Sequence, residues 1–64
     1  MNFFDHPYVG HRIRLLHMED PLPIPPLEEG LVVMVDDMGQ IHVKWDCGRS
    51  LAVIPEVDQY EILF

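Results

Sequence analysis

Gln40-Ile41-His42-Val43-Lys44-Trp45-Asp46 decides the fold, because its apolar and polar residues alternate without a break. Ile41, Val43 and Trp45 point one way and His42, Lys44 and Asp46 the other, which is the pattern of a half-buried β-strand. Immediately before it, Gly30-Leu31-Val32-Val33-Met34-Val35 is a β-branched run that ends in Asp36-Asp37-Met38-Gly39. That short acidic turn has a glycine available for a left-handed position, so the two runs predict a β-hairpin.

On the C-terminal side a second tight turn, Asp46-Cys47-Gly48-Arg49, leads into Ser50-Leu51-Ala52-Val53-Ile54, which reads as a further antiparallel strand. Pro55 removes a backbone donor and stops it, and Pro55-Glu56-Val57-Asp58 suits one turn of 3₁₀ helix. Tyr60-Glu61-Ile62-Leu63 predicts the last strand. On the N-terminal side, Gly10 to Leu16 turns Ile13 and Leu15 inward and Arg12 and Arg14 outward, giving the first strand. Between the first two strands, Pro21, Pro23, Pro25 and Pro26 exclude both helix and central strand from the segment His17 to Glu29. It is expected to be a stiff loop that packs Leu22, Ile24 or Leu27 onto the core. The sum is all-β: a small five-stranded SH3-like barrel over residues 9–64, with a long Pro-rich first loop and a 3₁₀ turn before the last strand. Residues 1–8 form an arm or cap whose Phe3, Phe4 and Tyr8 either close the barrel end or join a homo-oligomer.

At 64 residues, of which 48% are hydrophobic, the chain has room for one small core. Cys47, the single cysteine, makes no internal disulfide, so a cytoplasmic, reducing setting is expected. No apolar stretch approaches the roughly 20 residues that span a bilayer, and no membrane role is expected. The formal charge of -7 repels phosphate backbones and favours a protein partner with a basic surface.

The stretch Gly10 to Leu63 carries recognisable motifs: Gly10-x-Arg12-Ile13-Arg14-Leu15, Asp20-Pro21 with Pro25-Pro26 before Glu29-Gly30, the run Asp36 to Asp46, and Gly48-Arg49-Ser50-Leu51 leading to Ile54-Pro55. In these it resembles the small bacterial and phage family catalogued as domain of unknown function 4314. The resemblance implies an SH3-like fold and a phage or mobile-element setting, and it brings no activity with it. Cys47 stands at a turn position where that pattern has a small polar residue, and the octet before Gly10 lies outside it.

Catalysis and cofactors are not expected. Ser50 has no Gly-x-Ser-x-Gly context, and Cys47 and His42 have no third group to orient the histidine. The spacing of His6, His11, His17 and His42 matches no zinc pattern. Binding is therefore the expected mode. The acidic pairs Glu19-Asp20, Glu28-Glu29 and Asp36-Asp37 are expected to merge into one negative rim beside Pro23 and Pro25, with Tyr60 as an aromatic contact. The same pairs also read as a solvated surface that keeps an acidic protein soluble. The sharper reading is an acidic mimic that inhibits a host defence nuclease. Another is RNA or DNA binding through Arg12, Arg14, Lys44 and Arg49, which the few cations and the lack of an exposed aromatic platform disfavour.

Overall fold

The computed structural model describes residues 5–64. Its strands are β1 (Arg12–His17), β2 (Glu29–Val35), β3 (Ile41–Trp45) and β4 (Gln59–Leu63), all antiparallel to their neighbours in one open sheet of order β3-β2-β1-β4. The alternating residues of β3 behave as their pattern requires: Ile41, Val43 and Trp45 are buried, and Lys44 is exposed. The hairpin to β2 closes through Asp36 N–H to the Gln40 carbonyl at 3.1 Å and Gly39 N–H to the Asp36 carbonyl at 3.0 Å. Gly39 takes the left-handed conformation there, at φ 83°.

The strand expected at Ser50 to Ile54 does not form as a continuous element. It is reduced to two isolated bridges to β3, Ile41 with Val53 and Lys44 with Ser50. Both bridges share one register, in which Val43 and Leu51 would face each other as a hydrogen-bonded pair. Instead the Leu51 carbonyl accepts the indole N–H of Trp45 at 2.9 Å. A buried indole needs an acceptor, and with this carbonyl turned to the ring the bond from Val43 N–H is not made, which leaves the rung incomplete.

The expected 3₁₀ turn at Pro55 to Asp58 is also different. Val57 N–H and Asp58 N–H both donate to the Ile54 carbonyl, at 3.0 and 2.8 Å, and the second bond spans four residues. The cause is Asp58, a buried carboxylate. One of its oxygens accepts Ile54 N–H at 2.9 Å and the other Glu19 N–H at 2.8 Å, which draws the turn round and ties it to the start of the long loop.

The core comprises Ile13 and Leu15 of β1, Val32 and Val35 of β2, the inward residues of β3, Val53, and Met18 and Ile24 from the long loop. Tyr8, Val9, Leu51, Tyr60 and Ile62 pack against its margin. Tyr8 stands edge-on to His6 and Phe64, with ring centroids 4.8 and 6.4 Å away, so this end of the N-terminal segment lies against the sheet. Phe3 and Phe4 lie outside the described residues.

Gly30 sits on the inward face of β2 where β3 crosses closest. A Cβ there would stand 2.6 Å from Val43 Cγ1 and 2.7 Å from the Lys44 carbonyl oxygen. Gly30→Ala should therefore destabilise the fold by about 1–3 kcal/mol, as overpacking of a close-packed interior does. A lowered midpoint in urea denaturation checks it.

Candidate interaction surface

The register of the sheet decides what the surface charges can do. Glu29 of β2 faces Arg14 of β1, which in turn faces Glu61 of β4. Arg14 donates to Glu29 Oε2 at 3.1 Å through Nη2 and 3.3 Å through Nε, and its Nη1 lies 3.7 Å from Glu61. Arg12 makes a two-pronged contact with Asp46 and approaches Glu29 at 3.9 Å. The hydrogen bond from Arg12 holds the Asp46 carboxyl below its usual value, and the same bond raises the guanidinium. Pairs this exposed are weak sources of stability. Their consequence is electrostatic: the two arginines expected to offer a basic patch are neutralised in place.

Arg49 is occupied differently. Its guanidinium donates to the carbonyls of Leu22 at 2.7 Å and Pro23 at 3.0 Å. A residue read from sequence as a nucleic-acid contact thus clamps the Pro-rich loop from the turn after β3. Lys44 alone of the four has no hydrogen-bond or ion-pair partner among the described residues.

The loop between β1 and β2 is held along its length. Met18 and Ile24 are buried, Glu19 N–H is bound by Asp58, and Asp20 accepts Leu22 N–H at 2.9 Å to form a local turn. Its end returns through Pro25-Pro26-Leu27-Glu28, closed by Glu28 N–H to the Pro25 carbonyl at 3.2 Å. Leu27 occupies the third position with φ 69°, the left-handed conformation that a type II turn demands and glycine usually supplies. Its N–H donates to the Leu15 carbonyl at 2.7 Å, which fixes it there. Of the three apolar side chains offered as the loop's anchor on the core, Ile24 is the one that packs inward. Leu22 and Leu27 are 74% and 67% exposed.

The acidic residues separate into two kinds. Glu29 is committed to Arg14. Asp36 accepts Met38 N–H at 3.0 Å and Gln40 N–H at 2.9 Å through one oxygen, and its other oxygen lies 2.9 Å from His42 Nε2. The histidine bond, aided by the two backbone bonds, holds this carboxyl below its ordinary value. Glu28-Glu29 and Asp36-Asp37 flank opposite ends of β2. They lie on the order of 20 Å apart along the strand at roughly 3.3 Å per residue. One pair thus borders the Pro-rich loop, and the other closes the hairpin at the far end of the strand.

Around the loop, Glu19 lies 3.3 Å from His17, and Glu28 has no side-chain partner among the described residues. Tyr60 is half-buried at the core margin, where desolvation pushes its hydroxyl pKa up. Sequence reasoning missed Asp58 and the clamping role of Arg49, neither of which has a local signal. Leu27 carried half of one: Pro26 marks the second position of a turn, but whether the third is left-handed depends on the turn type, which a leucine there does not announce.

The family model described as "Domain of unknown function (DUF4314)" matches residues 5–63, and the chain belongs to that family. No match is found among curated proteins or among solved structures.

Two outcomes follow from this geometry. Asp36→Asn keeps an acceptor for the turn and removes the charge facing His42, so it should lower the melting temperature at neutral pH. A carboxyl depressed in the folded state stabilises above its unfolded value, here 3.8, and the benefit is lost as pH falls through its lower folded value. The difference between wild type and variant should therefore shrink below that pH in thermal melts. Arg49→Met should speed amide hydrogen exchange at Leu22 and Ile24 while leaving Val32 and Val43 protected as before.

Proposed function

We propose that this member of the family is a non-catalytic protein-interaction module that meets a basic partner surface through its Pro-rich loop. Leu22 and Leu27 supply the apolar contacts, and Glu19, Asp20 and Glu28 supply the surrounding negative field. The observation that carries this reading is Leu27. A non-glycine residue held left-handed costs on the order of 1–2 kcal/mol, and here that cost is borne to present a leucine to solvent. A fold selected only for stability would place glycine at this turn and polar residues at both positions.

The loop is also pre-organised, which reduces the entropy lost on binding. Ile24 anchors it from below, Asp58 fixes its start, Arg49 its middle, and the Leu15 pairing its end. Burying two leucines would contribute roughly 1.5–3 kcal/mol each, and the flanking carboxylates would steer a basic partner. Nucleic acid is the weaker candidate, because Arg12, Arg14 and Arg49 already have acceptors.

We read the fold more finely as SH3-like. Support comes from the order β4-β1-β2-β3, extended by Ser50 to Val53 beside β3, together with the long loop after the first strand. A cytoplasmic setting agrees with the exposed free thiol of Cys47.

The decisive comparison uses two variants as bait beside the wild type in quantitative affinity capture from a bacterial lysate. Leu27→Gly relieves the left-handed strain, so its stability should match or exceed that of wild type. A partner captured by wild type should be lost from Leu27→Gly and from Glu19→Gln/Asp20→Asn/Glu28→Gln, and its recovery should fall as salt rises. Equal recovery with all three baits, or recovery only of nucleic acid, overturns the proposal.

A further inference from the structure

The sheet is covered along one edge and open along the other. Beyond β3, the segment Ser50 to Val53 lies alongside through its bridges to Lys44 and Ile41. Beyond β4 no strand follows among the described residues. The phase of the hydrogen-bond ladder fixes what that open edge presents. Leu15 makes its backbone bonds on the β2 side, N–H to the Glu28 carbonyl at 2.9 Å and carbonyl to Leu27 N–H at 2.7 Å, and the His11 carbonyl accepts Val32 N–H at 3.0 Å. Alternate residues turn the other way, so Arg12 and Arg14 direct their backbone groups to Leu63 and Glu61, which they face. Tyr60 and Ile62, with Phe64 next in the same phase, therefore direct their N–H and C=O groups away from β1. None of these groups has a backbone partner among the described residues.

Folded proteins usually defend such an edge with lysine, proline, an inward-pointing charge or a covering segment. Gln59-Tyr60-Glu61-Ile62-Leu63 has no lysine and no proline, and its one charge, Glu61, lies on the outer face 3.7 Å from Arg14. An uncovered ring accompanies the uncovered backbone. Phe64 continues the inward-facing series of Tyr60 and Ile62 and stands edge-on to His11 and Tyr8, with ring centroids 4.7 and 6.4 Å away. It is nevertheless 86% exposed, so one side of a large apolar side chain waits for a cover. Charge decides the occupant. The two strands at this edge, β1 and β4, hold Arg12 and Arg14 against the single acid Glu61, so the strip has no negative excess with which to draw a basic segment. The same balance lets a like copy approach here, away from the free carboxylates of the Pro-rich loop.

We propose that the open edge of β4 pairs with the same edge of a second copy, antiparallel about a two-fold axis at Ile62, joining the two sheets into one. In that register Ile62 faces Ile62 of the second copy, Tyr60 faces its Phe64, and Glu61 faces its Leu63. The outward N–H and C=O groups of Tyr60, Ile62 and Phe64 then close on one another, and the exposed ring gains an aromatic neighbour across the strands. Charge also selects the axis. A two-fold at Glu61 would set two glutamates directly opposite, which is unfavourable. With the axis at Ile62, each Glu61 lies between its own Arg14 and, beyond Leu63 of the second copy, that copy's Arg12. The pairing is isologous, so it closes at a dimer. A five-residue strand covers well under the roughly 1,600 Å² of a standard interface, so the dimer is a weak one.

The test combines sedimentation equilibrium with amide hydrogen exchange on the full ¹⁵N-labelled chain, from about 10 μM to about 1 mM. The mass should rise from monomer toward dimer over that range. The amides of Tyr60, Ile62 and Phe64 should slow severalfold as it does, whereas those of Glu61 and Leu63 are protected throughout. Each copy carries a charge of -7, so added salt should strengthen the association by screening the repulsion, opposite to its effect on capture through the Pro-rich loop. Phe64→Ser alters an exposed side chain and should melt with the wild type when dilute, yet weaken the dimer at least tenfold. A monomer at every concentration, a dimer that Phe64→Ser leaves intact, or association that weakens with salt overturns the proposal. Exchange at Tyr60, Ile62 and Phe64 that is independent of concentration also overturns it, since the edge would then be covered within one chain or pair elsewhere. Leu27→Gly should leave the dimer unchanged, so the two surfaces stand or fall separately.

Discussion

A buried indole N–H must find an acceptor, and the bond from Trp45 to the Leu51 carbonyl organises much of this small protein. Trp45 fills the centre of the core at 1% exposure. Its ring can sit there only if its nitrogen is satisfied. The carbonyl that serves belongs to the segment beside β3, which joins it through isolated bridges. The Leu51 carbonyl is turned to the ring, and Val43 N–H opposite gains no bond from it. What remains of the strand is a pair of bridges, a turn at Asp46 to Arg49, and a cleft where the ladder is interrupted.

The same turn places Arg49 against the Pro-rich loop, which links the sheet's edge to the loop's conformation. In a chain of 64 residues the strands alone provide little interior. Met18 and Ile24 make the loop a part of the core, and Asp58 joins its beginning to the last turn through two backbone N–H groups. A loop that contributes to the core is rigid by necessity. Rigidity is also what a recognition loop needs, so the requirement for stability and the proposed use of Leu22 and Leu27 favour the same construction.

Charge follows a comparable logic. An excess of acids would repel itself if every carboxylate were free. Register across β1, β2 and β4 pairs Glu29, Asp46 and Glu61 with two arginines, and Asp36 is absorbed into its own hairpin. The negative field is left to residues such as Glu28 and Asp37.

The sequence by itself determined the elements whose signal is local. Alternation in Ile41 to Trp45 and in Arg12 to Leu15 marked strands with the correct inward faces, Asp36 to Gly39 marked the hairpin, and four prolines marked the loop. These were legible because period-two burial and turn geometry depend on neighbours a few residues apart. Tertiary structure alone decided that Ser50 to Ile54 would not complete a strand, that Asp58 would be buried between two backbone donors, and that Arg49 would bind carbonyls 26 and 27 residues away. It also decided which leucine of the loop faced inward. The clamp of Arg49 and the bond from Glu19 to Asp58 rest on partners distant in sequence, and the broken strand on a bond from a side chain to the backbone that no periodicity reports. A hydrogen-bonding group takes whatever acceptor the folded chain brings within about 3 Å, and only the completed packing fixes which one that is.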